Sequence, residues 1–244
     1  MTNRRHLIVN ADDFGLSNGV NRGIIRAHEE GILTSASLMV RQPAAGAAAE
    51  YACEHPRFSV GLHVDLAEWI FSGGEWVAKY KVVPSEDASA VAAEVARQLE
   101  AFRRLLGKAP THIDSHQHVH RNEPARSALL DVAKQIGVPL RDCSEAVRFC
   151  GDFYGQTGEG EAFPDGISME NLLKIFSELP DGWTEVSCHP GNDDDLDSVY
   201  RDERKVEMNV LCDPRVRAAL DTQGIKLLSF HDLNFTNSES ASEA

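Results

Sequence analysis

Two adjacent aspartates, Asp12 and Asp13, directly follow an apolar run at residues 7–11 (LIVNA). Close carboxylates repel each other unless a cation or a proton shift divides their roles, so the pair points to metal binding or acid–base work. A solvated turn in which Asp13 helps to cap the next helix is the other reading of this dipeptide. Further along, residues 112–120 read HIDSHQHVH. On an extended strand His112, Asp114, His116, His118 and His120 would share one face. One divalent ion that keeps a position open for water uses only two or three protein side chains. The run therefore offers more groups than one ion can take, and the remainder would support the ligands or touch substrate. His63 in VGLHVD, Arg141 in PLRD and His189 in SCHPG complete the set, the last held by turn-forming Pro190 and Gly191. His6, His28 and His55 fall outside such positions and receive no role. The acidic run at 192–197 lacks the glycine and twelfth-position glutamate of an EF-hand and reads as a solvated loop.

These residues need elements that bring them together. Short apolar runs at 7–11, 36–40, 59–63, 111–116, 138–142, 184–188 and 227–230 read as strands. Between them lie helical stretches at 17–30, opened by Ser17 and closed by Gly31, at 44–54, at 88–106 before Gly107, and at 123–136 before Gly137. A helix at 168–179 and one or two at 200–221 follow. Alternation of buried strands with helices predicts a parallel α/β fold, and seven strands rather than eight predict a distorted, incomplete (β/α) barrel. In that architecture the strand ends share one face, and most of the residues above sit at predicted strand ends. Two long segments, 64–84 and 149–165, interrupt the rhythm with glycines and aromatics, as functional loops do.

The chain has 244 residues, enough for one large core, and a single domain is expected over 1–235. The tail at 236–244 is too polar to order itself and is expected to fray. Lys plus Arg number 24 against 38 Asp plus Glu, a net charge of -14 that argues against nucleic acid or an anionic membrane as partner. Five cysteines without a C-x-x-C pair read as reduced, buried thiols rather than a disulfide frame or zinc ribbon. No signal-like or membrane-spanning run opens the chain, so a cytoplasmic location is the default expectation.

NADDFGLS, GLH at 61–63, the HIDSHQHVH run, FYG at 153–155 and CHPG at 188–191 together resemble the YdjC-like carbohydrate deacetylases, a group that includes chitooligosaccharide and hopanoid-associated deacetylases. The likeness runs from about residue 5 to residue 233. It implies a metal-dependent hydrolase that removes an N-acetyl group from an amino sugar, with Asp13, His63 and His116 as metal ligands and Asp12 as general base. By a more distant analogy with polysaccharide deacetylases, His189 would be the general acid and Arg141 would orient or tune Asp12. Asp114, His118, His120 and Asp232 would support these groups, while His112 and His231 stay unassigned. The donor set suits zinc, cobalt, manganese or nickel by ligand type, and the family is also associated with magnesium. Trp69, Phe71, Trp76 and Tyr80 in the first long segment, with Phe153 and Tyr154 in the second, are the candidates to stack against an acetylated sugar. A homodimer is the default expectation for assembly.

Two other readings use the same residues. A metal-dependent phosphoesterase or other amidohydrolase would take Asp and His ligands at strand ends, but a phosphate calls for Lys or Arg, and the strand ends offer chiefly Arg141 and Arg121. A non-catalytic metal- or sugar-binding protein would be favoured by loss of Asp12 or His189, and both are present.

Overall fold

A computed structural model describes residues 4–192, 195–196 and 198–233. Nine strands and seven helices run along it. The strands are β1 (Arg5–Phe14), β2 (Ser35–Leu38), β3 (Ser59–Val64), β4 (Ala67–Ser72), β5 (Glu75–Lys81), β6 (Ile113–Ser115), β7 (Arg148–Cys150), β8 (Gly182–Cys188) and β9 (Ile225–Leu228). The helices are α1 (Asn18–Glu30), α2 (Ala45–Glu54), α3 (Ala88–Leu106), α4 (Ala125–Ile136), α5 (Met169–Glu178), α6 (Asp202–Leu211) and α7 (Pro214–Thr222). Ser17 accepts from the Val20 N–H and starts α1, while Gly107 and Gly137 close α3 and α4 in left-handed conformations.

Seven strands form one parallel sheet in the order β6-β3-β2-β1-β8-β7, with β9 also on β1. The sheet curls without closing, which is the incomplete barrel expected from the strand count. Side chains alternate along β1: Leu7, Val9 and Ala11 join the main apolar core, Ile8 joins a small cluster with Val147 and Phe230, and Asn10 and Asp12 point the same way as Ile8. Asn10 Nδ2 meets Asp12, Ser37 and Asp114, so the inside of the curl is apolar at the bottom and polar toward the strand ends. At Gly61 an added Cβ would lie 2.4 Å from Nε2 of His112, so the missing side chain clears room for that ring. His112 stacks on Phe230 at 3.8 Å and bonds Ser37, and it serves the interior rather than the site.

Three expectations change. Residues 138–142 make one parallel bridge, Ile113 to Leu140, because Pro139 brings no N–H to a ladder. The long segment at 64–84 is in large part the antiparallel hairpin β4–β5, turned at Gly73 and Gly74, both with positive φ. Third, β6 ends at Ser115 and residues 116–121 wind as a 3-10 turn with Gln117 and His118 at φ of 50° and 54°. The alternate histidines therefore do not share one strand face. Among the cysteines, all five are unpaired as expected, yet Cys188 alone is buried. Asp195 of the acidic run accepts from Ser17 Oγ and the Gly19 N–H, so it caps α1 rather than only meeting solvent. The tail at 236–244 lies outside the described residues.

Candidate active site

At the carboxyl ends of β1, β3 and β6 the chain gathers Asp13, His63 and His116. Asp13 ends the straight part of β1 with φ of 66°, which turns its carboxylate inward. Its Oδ1 lies 3.0 Å from His116 Nδ1 and 3.4 Å from His63 Nε2. The three donors are within 4.8 Å of one another, and two of the residues are buried. His63 presents Nε2 to this point because Nδ1 is bonded to Asp114 Oδ1 at 2.7 Å. A carboxylate behind a histidine is the arrangement that fixes the tautomer of a metal ligand. Burial works to lower the His63 pKa, but Asp114 and the neighbouring carboxylates win and raise it to about 10. A cation between Asp13 and the two histidines would take that proton's place. The donor chemistry, one carboxylate and two imidazoles, fits a divalent ion. A second cluster, Asp12, His63 and Asp114, is already neutralised by Arg141.

Arg141 is buried and meets three carboxylates. Nη1 and Nη2 each donate to Asp12 at 2.6 Å, and Nη2 also reaches Glu185 and Asp114 at 2.7 Å. Burial alone would raise the Asp12 pKa, yet the guanidinium holds it below the usual carboxylate range, so Asp12 stays ionised. His189 Nε2 lies 3.8 Å from Asp12 Oδ2. Burial lowers the His189 pKa to about 4, so this imidazole is neutral near pH 7. An ionised carboxylate and a neutral imidazole thus stand side by side next to the three-donor cluster.

A cleft of about 520 Å³ opens over these groups, a size usual for small-molecule sites. Trp69, Phe71 and Trp76 of the β4–β5 hairpin line one side, and Tyr154 and Tyr200 the other, with the rings of the two tyrosines stacked at 4.7 Å. The Gln117 side chain grips the hairpin by pairing with both the N–H and the carbonyl of Trp69 at 2.8 Å.

Not every candidate reaches the site. Phe153 is fully buried in the core and gives no surface to the cleft, a correction to its place among the stacking residues. Asp232 is exposed and accepts from the Ser229 N–H at 2.9 Å, so it caps the turn at 230–232 instead of supporting a ligand. Tyr80 donates to buried Asp65 and anchors the hairpin rather than lining the cleft. His118 lines the cleft edge-on to Phe149, and His120 folds back on Ser115 at 2.6 Å. Burial lowers both pKa values, to about 3 and about 4, and neither joins the donor cluster. His231 is exposed at the same turn as Asp232.

Several further residues reach the site without a motif of their own in the sequence. Glu185 under Arg141 follows from strand alternation once β8 is known. Arg204 and Glu207 lie on the inward stripe of α6 with Met208 and Leu211, and charges on an apolar stripe are the signal that could have found them. Arg204 Nη2 donates to Asp13 Oδ2 at 2.6 Å. Glu207 accepts from the His189 N–H and the Tyr200 hydroxyl, and burial raises its pKa to about 8.

The chain and its fold are similar to known proteins. The YdjC-like protein family matches residues 6–222. A carbohydrate deacetylase of Geobacillus stearothermophilus is 33% identical over 93% of this chain and 98% of its own length. A chitooligosaccharide deacetylase of Serratia marcescens is likewise 33% identical, with the same coverage of 93% and 98%. Among solved structures, a protein of Enterococcus faecalis provisionally named for cellobiose-phosphate cleavage superposes with a TM-score of 0.74 at 24% identity, over 93% of this chain and 98% of that one. A family 4 carbohydrate esterase of Streptomyces lividans shares the fold at a TM-score of 0.54 and 11% identity, over 91% of both chains.

Proposed function

The chain belongs to the YdjC-like protein family, and with that as premise we propose that it is a metal-dependent hydrolase that removes an N-acetyl group from an amino sugar. The observation that carries this reading is the meeting, under one aromatic cleft, of the Asp13–His63–His116 cluster with ionised Asp12 and neutral His189. Relatives named as carbohydrate and chitooligosaccharide deacetylases, matched along nearly their whole length, supply the substrate class.

Asp13, His63 and His116 would hold one divalent ion, with zinc, cobalt, manganese, nickel and magnesium as candidates. Such an ion, when bound, polarises an acetamide carbonyl and makes water acidic enough to attack near neutral pH. Asp12, kept ionised by Arg141, takes the proton from the attacking water. The water oxygen bonds to the carbonyl carbon, and the C–N bond then breaks. Because His189 is neutral beforehand, it is loaded during turnover: its Nε2 stands 3.8 Å from Asp12, close enough for one bridging water or a small closure to carry the proton from Asp12 to the imidazole, which passes it to the leaving nitrogen. The products are acetate and the amine. Trp69, Phe71, Trp76 and Tyr154 offer faces for a sugar ring.

A phosphoester substrate fits less well. Arg204 is the one Arg or Lys among the described residues that line the cleft, and Asp13 engages it. No helix among the described residues is long and apolar enough to cross a membrane. A cytoplasmic location and a homodimeric state stay as proposals, read from cell fractionation and from mass in solution.

The test is acetate release from a panel of N-acetylated amino sugars, by protein stripped with chelator and then reloaded with each candidate ion. Release that depends on the ion supports the reading. Absence of acetate from every sugar, with ion content confirmed, overturns it.

A further inference from the structure

Arg204 touches three separate parts of the site. It is 3% exposed, and besides Asp13 Oδ2 its guanidinium meets the Tyr200 carbonyl through Nε at 2.9 Å and the His189 carbonyl through Nη1 at 3.5 Å. The two oxygens of Asp13 are thereby divided: Oδ2 to the guanidinium at 2.6 Å, Oδ1 to the two histidines. The last torsion of an aspartate is broad, so the strand alone does not decide the tilt of the carboxylate plane that turns one oxygen to His63 and His116. A planar, forked cation does decide it.

The backbone is packed to bring that fork into reach. The Gly191 N–H donates to the Arg204 carbonyl at 3.1 Å, and a Cβ at Gly191 would lie 3.1 Å from Arg204 Cδ. Behind it, a Cβ at Gly23 would lie 2.3 Å from Gly191 Cα. Two glycines therefore let α1, the turn after His189 and α6 close on one another.

We propose that Arg204 is the positioning residue of the metal centre: it holds Oδ2 of Asp13, keeps Oδ1 turned toward His63 and His116, and ties that carboxylate to the turn that carries His189. The inference rests on the metal-hydrolase reading above. It assigns a task to the guanidinium fork and not merely to its charge, because one terminal nitrogen of a lysine cannot span Asp13, Tyr200 and His189 together.

The experiment is calorimetric titration of zinc or manganese into chelator-stripped, full-length protein, for wild type, Arg204→Met, Arg204→Lys and the exposed α6 control Val206→Ala, with circular dichroism to check folding. Expected is an affinity loss of about 10- to 100-fold in both Arg204 variants, as for other partners that orient metal ligands, with the control unchanged. A folded Arg204 variant that binds the ion as tightly as wild type overturns the proposal. Should Arg204→Met not fold, Arg204→Lys decides by the same criterion. Wild-type protein that takes up no ion overturns the metal reading itself, and the proposal with it.

Discussion

Three buried carboxylates, Asp12, Asp114 and Glu185, share the single guanidinium of Arg141. Removing one partner of a buried ion pair leaves charge without compensation, so Arg141→Met is expected to cost about 3–5 kcal/mol of stability, read from chemical denaturation. The pKa values of Asp12 and Asp114 are held below their usual 3.8, so the stability they contribute is present above about pH 4 and lost as pH falls below it. Asp12→Asn keeps the shape of the proposed base and removes its basicity: turnover should fall about 100- to 10,000-fold while ion content stays at the wild-type level. Wild-type turnover in that variant would remove Asp12 from the mechanism. Asp12, Asp13, His63, His116 and His189 were legible because each stands at a strand end in a short polar motif. Phe153 and Asp232 were misread because residue type does not say which way a side chain points, and neighbouring Tyr154 and Phe153 take opposite directions. Arg204 carries a signal only as a charge on the apolar stripe of α6, and nothing local points to its partner Asp13, 191 residues away.

At the level of elements, the hairpin β4–β5 is the wall of the cleft and carries three of its aromatics. Its signal was present in the sequence as Gly73-Gly74 between two aromatic, alternating runs, a pattern that marks a tight turn. Helix periods and caps were read nearly to the residue, because Ser17, Gly107 and Gly137 act locally. Residues 138–142 misled because an apolar run does not reveal that Pro139 breaks the ladder. Trp69→Ala should raise KM several-fold and leave kcat nearly unchanged if the hairpin only binds the sugar; loss of kcat with KM intact would contradict that role. Gly23→Ala places a methyl against Gly191 and should push α1 from the turn after His189. Lower thermal stability and lower kcat are expected, with His63 and His116 undisturbed on their own elements.

Across the whole molecule, buried carboxyl groups on the sheet and on α6 also shape the dependence of stability on pH at higher values. Burial raises Glu185 to about 7 and Glu207 to about 8, so the folded state favours their protonated forms. Their contribution is fully present below the ordinary 4.5 and is lost as pH rises toward about 8. With chelator present throughout, thermal stability should decline across that window, and Glu207→Gln should make the decline shallower. An unchanged slope in the variant would show that Glu207 does not titrate there. The parallel, incomplete barrel itself was legible from apolar runs alternating with helices, six of which are strands of the sheet while β7 stands in place of residues 138–142; the polar interior was not, because alternate small residues such as Ser35, Ser37 and Gly61 carry no sign of what they face. On the proposed function, one ion held by Asp13, His63 and His116 makes this chain a deacetylase. The most direct measurement is acetate release from an N-acetylated sugar as stripped protein is titrated with zinc. Activity should rise in proportion to bound zinc, level off at one ion per chain and be absent in Asp13→Ala. Acetate released at the full rate without bound metal, or by Asp13→Ala, would contradict it.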